Sequence, residues 1–261
     1  MHKAKKNLGQ NFLEDRTVLQ EIIDSIKPDK EDSFLEIGPG KGSLTELITG
    51  CVKTLDAVEL DRDLILGLRL LAQKEGNLTI HKENILDFNI EENLKARKKL
   101  RVVGNLPYNI STPLMFHLFD HAHCIEDMHF MLQKEVVLRL AAGAGTNNYG
   151  RLSIMAQYFC RVDSLFEVPP EAFDPRPKVD SAIVRMAPYM ELPHTALDFK
   201  HFEQLVKSAF SQRRKTLRNN LKGIASDEQL QNLGIDPSIR SERLTVGEFV
   251  AISNLLTQTS S

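Results

Sequence analysis

The run Ser33-Phe34-Leu35-Glu36-Ile37 stops on Gly38-Pro39-Gly40-Lys41-Gly42 and is followed by an apolar-spaced stretch from Leu44 to Ile48. Strand, glycine turn and helix in that order are the opening unit of a parallel α/β sheet. Further strand signals lie at Leu55 to Leu60, Leu78 to Ile80, Leu100 to Gly104 and His129 to Leu132. Helical spacing fills the intervals from Asp61 to Gln73 and over 134–142, with Pro113 read as the first residue of another helix. Upstream, Val18, Leu19, Ile22, Ile23 and Ile26 share a helical face, with Asp15 as a cap and Pro28 as a stop. Strands alternating with helices predict a doubly wound, Rossmann-like parallel sheet.

Residues 143–150 hold three glycines, two asparagines and a threonine and read as a mobile loop, and 163–187 as a final strand pair broken at Val168-Pro169-Pro170-Glu171. The pattern lapses over Pro188 to Leu197. Beyond it, 199–210, 214–222, 226–233 and 245–256 read as helices. The expected division is a sheet domain over 1–190 and a small all-helical domain over 191–261.

No apolar stretch approaches the ~20 residues of a membrane span. Met1-His2-Lys3-Ala4-Lys5-Lys6-Asn7 lacks the apolar core of a signal peptide, and Cys51, Cys124 and Cys160 include no Cys-x-x-Cys pair. The reading is a cytoplasmic protein with reduced thiols. Net charge is only −2, so a uniformly basic nucleic-acid binder is excluded. The charge is patterned, however. Lys95, Arg97, Lys98, Lys99 and Arg101 form one basic stripe; Arg213, Arg214, Lys215, Arg218 and Lys222 form a second; Lys3, Lys5 and Lys6 add a third. Stripes on a near-neutral chain suit a defined polyanion, although each one alone also fits a solvated helix face.

The Gly38-x-Gly40-x-Gly42 loop permits close ligand approach and offers amide donors at a helix N-terminus. Glu59 follows the next strand, 23 residues after Glu36, where an acid can hold two ribose hydroxyls. NAD and S-adenosylmethionine both meet that description. The departure from Gly-x-Gly-x-x-Gly weighs against NAD. At the third strand exit, Asn84 and Asp87 are both candidates for an adenine amine, with Ile85 packing on the ring.

Asn105-Leu106-Pro107-Tyr108 ends the fourth strand, at the sheet edge where open α/β folds bind ligands. An exocyclic aromatic amine is a poor nucleophile because its lone pair is delocalised. The Asn105 oxygen and a carbonyl such as that of Leu106 can accept both of its hydrogens. Pro107 fixes the turn without adding a donor, and Tyr108 can stack on the base. This is catalysis by positioning and electrostatics. Loop and tetrad together point to S-adenosylmethionine-dependent methylation of a base amine. The base must leave its stack to enter. Phe173, held by Pro175 and Pro177, is a candidate for its second face. His117, His121, His123 and Cys124 lie close together, but read as histidines near a helix end rather than as a metal site.

Six motifs then carry a specific resemblance: Asn7-Leu8-Gly9-Gln10-Asn11-Phe12-Leu13, Glu36 to Gly42, Val58-Glu59-Leu60-Asp61, Asn105-Leu106-Pro107-Tyr108-Asn109-Ile110-Ser111, Phe173-Asp174-Pro175-Arg176-Pro177 and Phe210-Ser211-Gln212-Arg213-Arg214-Lys215. Over nearly its whole length the chain resembles the KsgA-type 16S rRNA adenine N6,N6-dimethyltransferases. The resemblance implies a methyltransferase sheet carrying S-adenosyl-L-methionine, released as S-adenosyl-L-homocysteine, and no metal. It implies Asn11 and Leu13 over the methionine part, Gly38 and Gly40 at the cofactor backbone and Glu59 on the ribose. Asn84 and Ile85 fall at the adenine, with Asn84 in place of the usual acid. Asn105 falls beside both cofactor and target amine.

The implied substrate is two adjacent adenosines in the 3′-terminal hairpin loop of 16S rRNA, within a 30S subunit or its precursor. Arg213, Arg214, Lys215 and Arg218 are expected on one helix as the rRNA contact, in a protein monomeric off the ribosome. The alternatives are an Erm-type 23S rRNA methyltransferase, an assembly factor with secondary catalysis and a DNA adenine methyltransferase. Leu106 and the 212–218 stretch favour the first reading. The last is disfavoured by the lack of an acid in the tetrad.

Overall fold

A computed structural model describes residues 4–5, 9–94, 99–107 and 110–259. In chain order its principal elements are β1 (Phe12–Leu13), α1 (Arg16–Ile26), β2 (Ser33–Ile37), α2 (Ser43–Thr49), β3 (Thr54–Val58), α3 (Arg62–Glu75), β4 (Leu78–His81) and α4 (Ile90–Leu94). Then come β5 (Leu100–Asn105), α5 (Ser111–Asp120), β6 (Ile125–Gln133), α6 (Lys134–Leu140), α7 (Arg151–Phe159), β7 (Cys160–Val168), β8 (Phe173–Asp174) and β9 (Ser181–Pro188). The helices α8 (Phe199–Ala209), α9 (Leu217–Asn220), α10 (Asp227–Asn232) and α11 (Val246–Thr259) complete the chain. Residues 1–137 with 162–188 make one compact unit, and 138–161 with 189–261 another.

In the first unit, seven strands pair in the order β4-β3-β2-β5-β6-β9-β7. Pairing is parallel from β4 to β6, as the alternation predicts. The β6–β9 pair is antiparallel, from Met128 opposite Met186 to Gln133 opposite Ser181. The sheet is therefore mixed rather than wholly parallel. The local signal of a strand is its apolar run, which is the same for both directions; direction is set by where the preceding connection delivers the chain.

Helix α1 shows why these segments fold as they do. The Asp15 carboxylate accepts from the backbone N–H groups of Thr17 and Val18, and Lys27 ends the helix in the left-handed region. Leu19, Ile22 and Ile26 are buried. Each such side chain contributes about 1.5–3 kcal/mol on burial, against roughly 1 kcal/mol for the cap, so packing dominates. Arg101 ties the helix end to the sheet. Its guanidinium donates to the Ile26 and Lys27 carbonyls and pairs with Asp127 and Asp32 at 2.8 Å each. Burial would lower its pKa, but those partners raise it on balance. Arg101 is thus a buried strut and not part of an exposed basic stripe. Of that stripe, Lys95, Arg97 and Lys98 lie outside the described residues, as do Lys3 and Lys6.

The second unit carries a further correction. Residues 211–216 form a turn, and α9 is only four residues long. The N–H groups of Leu217 and Arg218 donate to the carbonyls of Ile239 and Pro237, and the Asn220 amide bonds the carbonyls of Ala209 and Gln212. These tertiary bonds hold 212–218 as a bend. Arg213, Arg214 and Lys215 therefore share no helical face with Arg218. Leu217 and Leu221 are fully buried, as their spacing suggests.

Candidate active site

The carboxyl ends of β2, β3, β4 and β5 line a single cavity of about 280 Å³ in the first unit. Its walls include Gly38, Gly40, Glu59, Asn84, Ile85, Asn105, Leu106 and Pro107, together with the segment Gly9 to Leu13. Four strand ends far apart in sequence thus meet at one rim, where the parallel sheet opens.

The glycine loop has φ of 67°, 59° and 89° at Gly38, Gly40 and Gly42, the left-handed region that glycine enters without a Cβ clash. A Cβ at Gly40 would also stand 3.0 Å from the Phe12 ring. Glu59 is buried and holds the loop: Oε2 accepts from the Gly40 N–H at 3.1 Å and Oε1 from the Asp61 N–H at 2.7 Å. Each oxygen can accept a second hydrogen bond, so the carboxylate can grip a diol while it fixes the loop. Burial raises its pKa, opposed by those N–H donors.

After β4, Asn84 closes a small turn. Its oxygen accepts from the Leu86 N–H at 3.2 Å and its amide donates to Asp87 at 2.9 Å. Asn84 and Asp87, the two local candidates, are thus bonded to each other. Asn84 and buried Ile85 line the cavity.

The tetrad turns away from β5 at Leu106, whose N–H donates to the Met131 carbonyl at 3.1 Å. The Pro107 carbonyl accepts from Ile110 N–H and Ser111 Oγ, both at 3.2 Å, which starts α5. Asn105 Nδ2 donates to the Asn11 carbonyl at 2.8 Å. A carbonyl can only accept, so this bond assigns the nitrogen to Asn11 and leaves Oδ1 as the acceptor end of the side chain. Tyr108 lies outside the described residues. Phe173 is buried opposite Leu13 in the β1–β8 pair, packed in a cluster with Leu13, Leu19, Ile22 and Met131. It backs the Gly9 to Leu13 segment, the strap, and is not among the lining residues of the cavity.

Two buried polar residues of the cavity were not among the candidates. Glu36 and His129 are buried and line it. Glu36 is paired in register with Val103, and Val103 with His129, so both occupy one row on one sheet face. Among the described residues, Glu36 Oε2 and both His129 ring nitrogens have no hydrogen-bond partner. Burial, with the Glu59 charge adding to it, pushes Glu36 up to about 7; burial pushes His129 down to about 4. A polar residue at an inward position of an apolar strand was the available signal for each. Of the histidine cluster, His117 bonds the Phe88 carbonyl, and His121 and His123 face Glu91.

The family model for ribosomal RNA adenine dimethylase matches residues 1–258. The chain belongs to the ribosomal RNA adenine dimethylase family. A relative from Marinomonas sp., named ribosomal RNA small subunit methyltransferase A, is 54% identical over 253 residues, covering 97% of this chain and 95% of the relative. A relative of the same name from Vibrio cholerae is 52% identical and covers 99% and 95%. Among solved structures, a dimethyladenosine transferase from Plasmodium falciparum superposes with a TM-score of 0.82 at 25% identity, covering 95% of this chain and 98% of that one. The 23S rRNA methyltransferase ErmE shares the fold, with a TM-score of 0.73 at 21% identity over 95% and 100% of the two chains. The α/β methyltransferase fold read from the sequence is therefore that of this dimethylase family. No helix among the described residues is long and apolar enough to cross a membrane.

Proposed function

We propose that this dimethylase uses S-adenosylmethionine to convert two adjacent adenosines in the 3′-terminal hairpin loop of 16S rRNA to N6,N6-dimethyladenosine, within a 30S subunit or its precursor. The observation that carries the reading is the Asn105 amide, pinned by its nitrogen at the rim of the cavity that Glu59 and the glycine loop also line.

The cavity suits the cofactor on chemical grounds. A glycine cradle in the left-handed region, a buried carboxylate with spare lone pairs and an apolar wall at Ile85 match an adenosine. The Glu36 carboxylate, with an oxygen lacking a protein partner, matches the amino-acid end. Bound there, the cofactor supplies an electrophilic sulfonium methyl. Glu59 holds the ribose, Asn84 accepts from the adenine amine, and Asn11 and Leu13 cover the methionine part. Asn105 Oδ1 and the Leu106 carbonyl accept the two N6 hydrogens of the target, which draws its lone pair out of the ring and aims it. Pro107 keeps the turn rigid, and Tyr108 stacks on the base. Phe173 supports this wall from behind Leu13. No base is required, because the proton becomes acidic only after attack, and no metal takes part.

Arg213, Arg214, Lys215 and Arg218, in the helical region 191–261, meet rRNA phosphates and set orientation rather than read bases. The protein works in the cytoplasm and is monomeric off the ribosome. The relatives' shared name supports the small subunit over the Erm-type alternative. The test supplies unmethylated 30S particles, naked 16S rRNA, 50S particles and duplex DNA with labelled cofactor, followed by nucleoside mass spectrometry. Dimethyladenosine from 30S alone is expected; product from 50S particles or DNA would overturn the assignment.

A further inference from the structure

The strand-end amide is oriented by a backbone carbonyl that no element of the sheet holds. Asn11 belongs to the segment leading into β1, and its position depends on what anchors that segment. On its C-terminal side the β1–β8 pair holds it; on its N-terminal side the anchor is Asp61, the N-cap of α3, whose side chain is fully buried. Asp61 Oδ2 accepts from Gln10 Nε2 at 2.7 Å, and Oδ1 accepts from Lys5 Nζ. The strap is also tied to itself, since the Lys5 N–H donates to Gln10 Oε1 at 2.8 Å. Lys5 Nζ reaches Asp63 at 2.7 Å as well.

These bonds close a circuit between the two halves of the site. The Asp61 N–H donates to Glu59 Oε1, Asp61 carries Gln10, Gln10 adjoins Asn11, and Asn11 carries Asn105. Burial alone would raise the Asp61 carboxyl, but Lys5 and Gln10 outweigh it and hold it below the ordinary carboxylate range. The anchor is therefore an ion, and charge-assisted bonds to it are about twice as strong as neutral ones. Phe12 adds an apolar contact beside Gly40, with Leu64 and Leu68 of α3 beneath it.

We infer that Asp61, Gln10 and Lys5 are positioning residues for methyl transfer: they hold the 9–13 strap so that the Asn11 carbonyl fixes the Asn105 amide with its oxygen toward the target amine. Lys5 and Asp61 lie outside the lining of the cavity, and Gln10 borders it with its amide turned to Asp61. They act through Asn105, so the inference rests on the role proposed for that residue. An amide released from Asn11 can turn over and present NH2 to an amine that is itself a donor, and misplacement of this kind costs up to about 100-fold.

The decisive variants exchange charge within the latch. Gln10→Glu sets a second carboxylate against Asp61 and opens the strap. Gln10→Glu combined with Asp61→Asn restores a donor–acceptor pair, now with Asn donating to Glu. Single-turnover methyl transfer to 30S particles at saturating cofactor should fall roughly 10- to 100-fold in the single variant. It should return to within about threefold of the parent in the double variant. In an Asn105→Ala background, Gln10→Glu should add little, because the amide it orients is gone. A Gln10→Glu rate within twofold of the parent, an unrescued double variant, or a full additional loss on Asn105→Ala would each overturn the inference. The outcomes also separate the two readings. A near-parental Asn105→Ala rate sinks the role of Asn105 itself, whereas a dead Asn105→Ala beside an active Gln10→Glu sinks only the latch.

Discussion

The Asn105 amide is fixed through its nitrogen, and in the proposed reaction its energetic stake is that of one preorganised contact to a developing charge. Asn105→Ala should slow single-turnover methyl transfer by ~10²–10³ while the fold persists; a rate near that of the parent would remove Asn105 from the chemistry. Glu59 holds the loop and, in the proposed reading, the ribose. Glu59→Ala should weaken S-adenosylmethionine binding by about 10- to 100-fold in calorimetric titration, the scale of a missing charged hydrogen bond. An unchanged dissociation constant would make Glu59 a loop brace only. Glu36 should reveal itself through pH. Its folded pKa of about 7 lies above the ordinary 4.5. The ligand-free fold therefore holds the proton more tightly than the unfolded chain. That stabilisation is complete below pH 4.5 and is lost as pH rises through 7, on the order of 3 kcal/mol in all. Glu36→Gln removes the slope. The parent's unfolding free energy, measured relative to this variant, should decline between pH 5 and 8; a pH-independent difference would contradict the raised pKa.

At the scale of elements, β5 approaches the end of β2 at Gly104 more closely than a side chain there allows. A Cβ on Gly104 would lie 2.6 Å from the Ile37 carbonyl oxygen, a backbone atom that cannot swing aside. Gly104→Ala should therefore destabilise the protein by about 2–3 kcal/mol, the scale of overpacking, or roughly 4–10 °C in Tm. A Tm within 1 °C of the parent would mean that the strands separate at little cost. Gly104 directly precedes Asn105, and Ile37 directly precedes Gly38, so this close approach lies beside both the Asn105 turn and the glycine loop. Helix α1 teaches a different point. Its five apolar positions and its Asp15 cap were legible in the residues, yet its attachment by Arg101 was not, because Arg101 reads locally as one more cation in a basic run. Only the tertiary fold brings Asp32 and Asp127 to it.

At the scale of the whole molecule, a net charge of −2 gives no general attraction to RNA, so binding must draw on local cation clusters. The second unit offers one. Arg213 donates to the Asn147 carbonyl, Arg218 is paired with Asp227 at 2.7 Å, and Arg214 and Lys215 are exposed beside them. Exposed pairs such as Arg218–Asp227 are worth at most about 1 kcal/mol and open readily for a phosphate. Changing Arg213, Arg214, Lys215 and Arg218 together to Ala should lower affinity for 30S particles and flatten its dependence on salt. The log–log slope should drop by roughly 2 or more, at about 0.7–0.9 for each phosphate no longer neutralised. Cofactor affinity should not change. An unaltered salt slope would place the RNA-binding surface elsewhere.

The alternation of apolar runs and helical spacing was enough to specify an α/β sheet with its ligand edge at the carboxyl ends, because strand and helix periods are local properties. The glycine loop, Glu59 and the Asn105 turn were legible for the same reason: each combines a strand end with residues whose chemistry is unusual there. Strand direction at β9, the bend at 211–216 and the burial of Arg101 were decided by partners distant in the chain. So were the row that joins Glu36 to His129 and the latch from Asp61 to Asn11. In the latch the decisive group on Asn11 is a backbone carbonyl, which every residue possesses. Side-chain identity cannot mark it; only the folded chain, by carrying that carbonyl to within 2.8 Å of the Asn105 amide, singles it out.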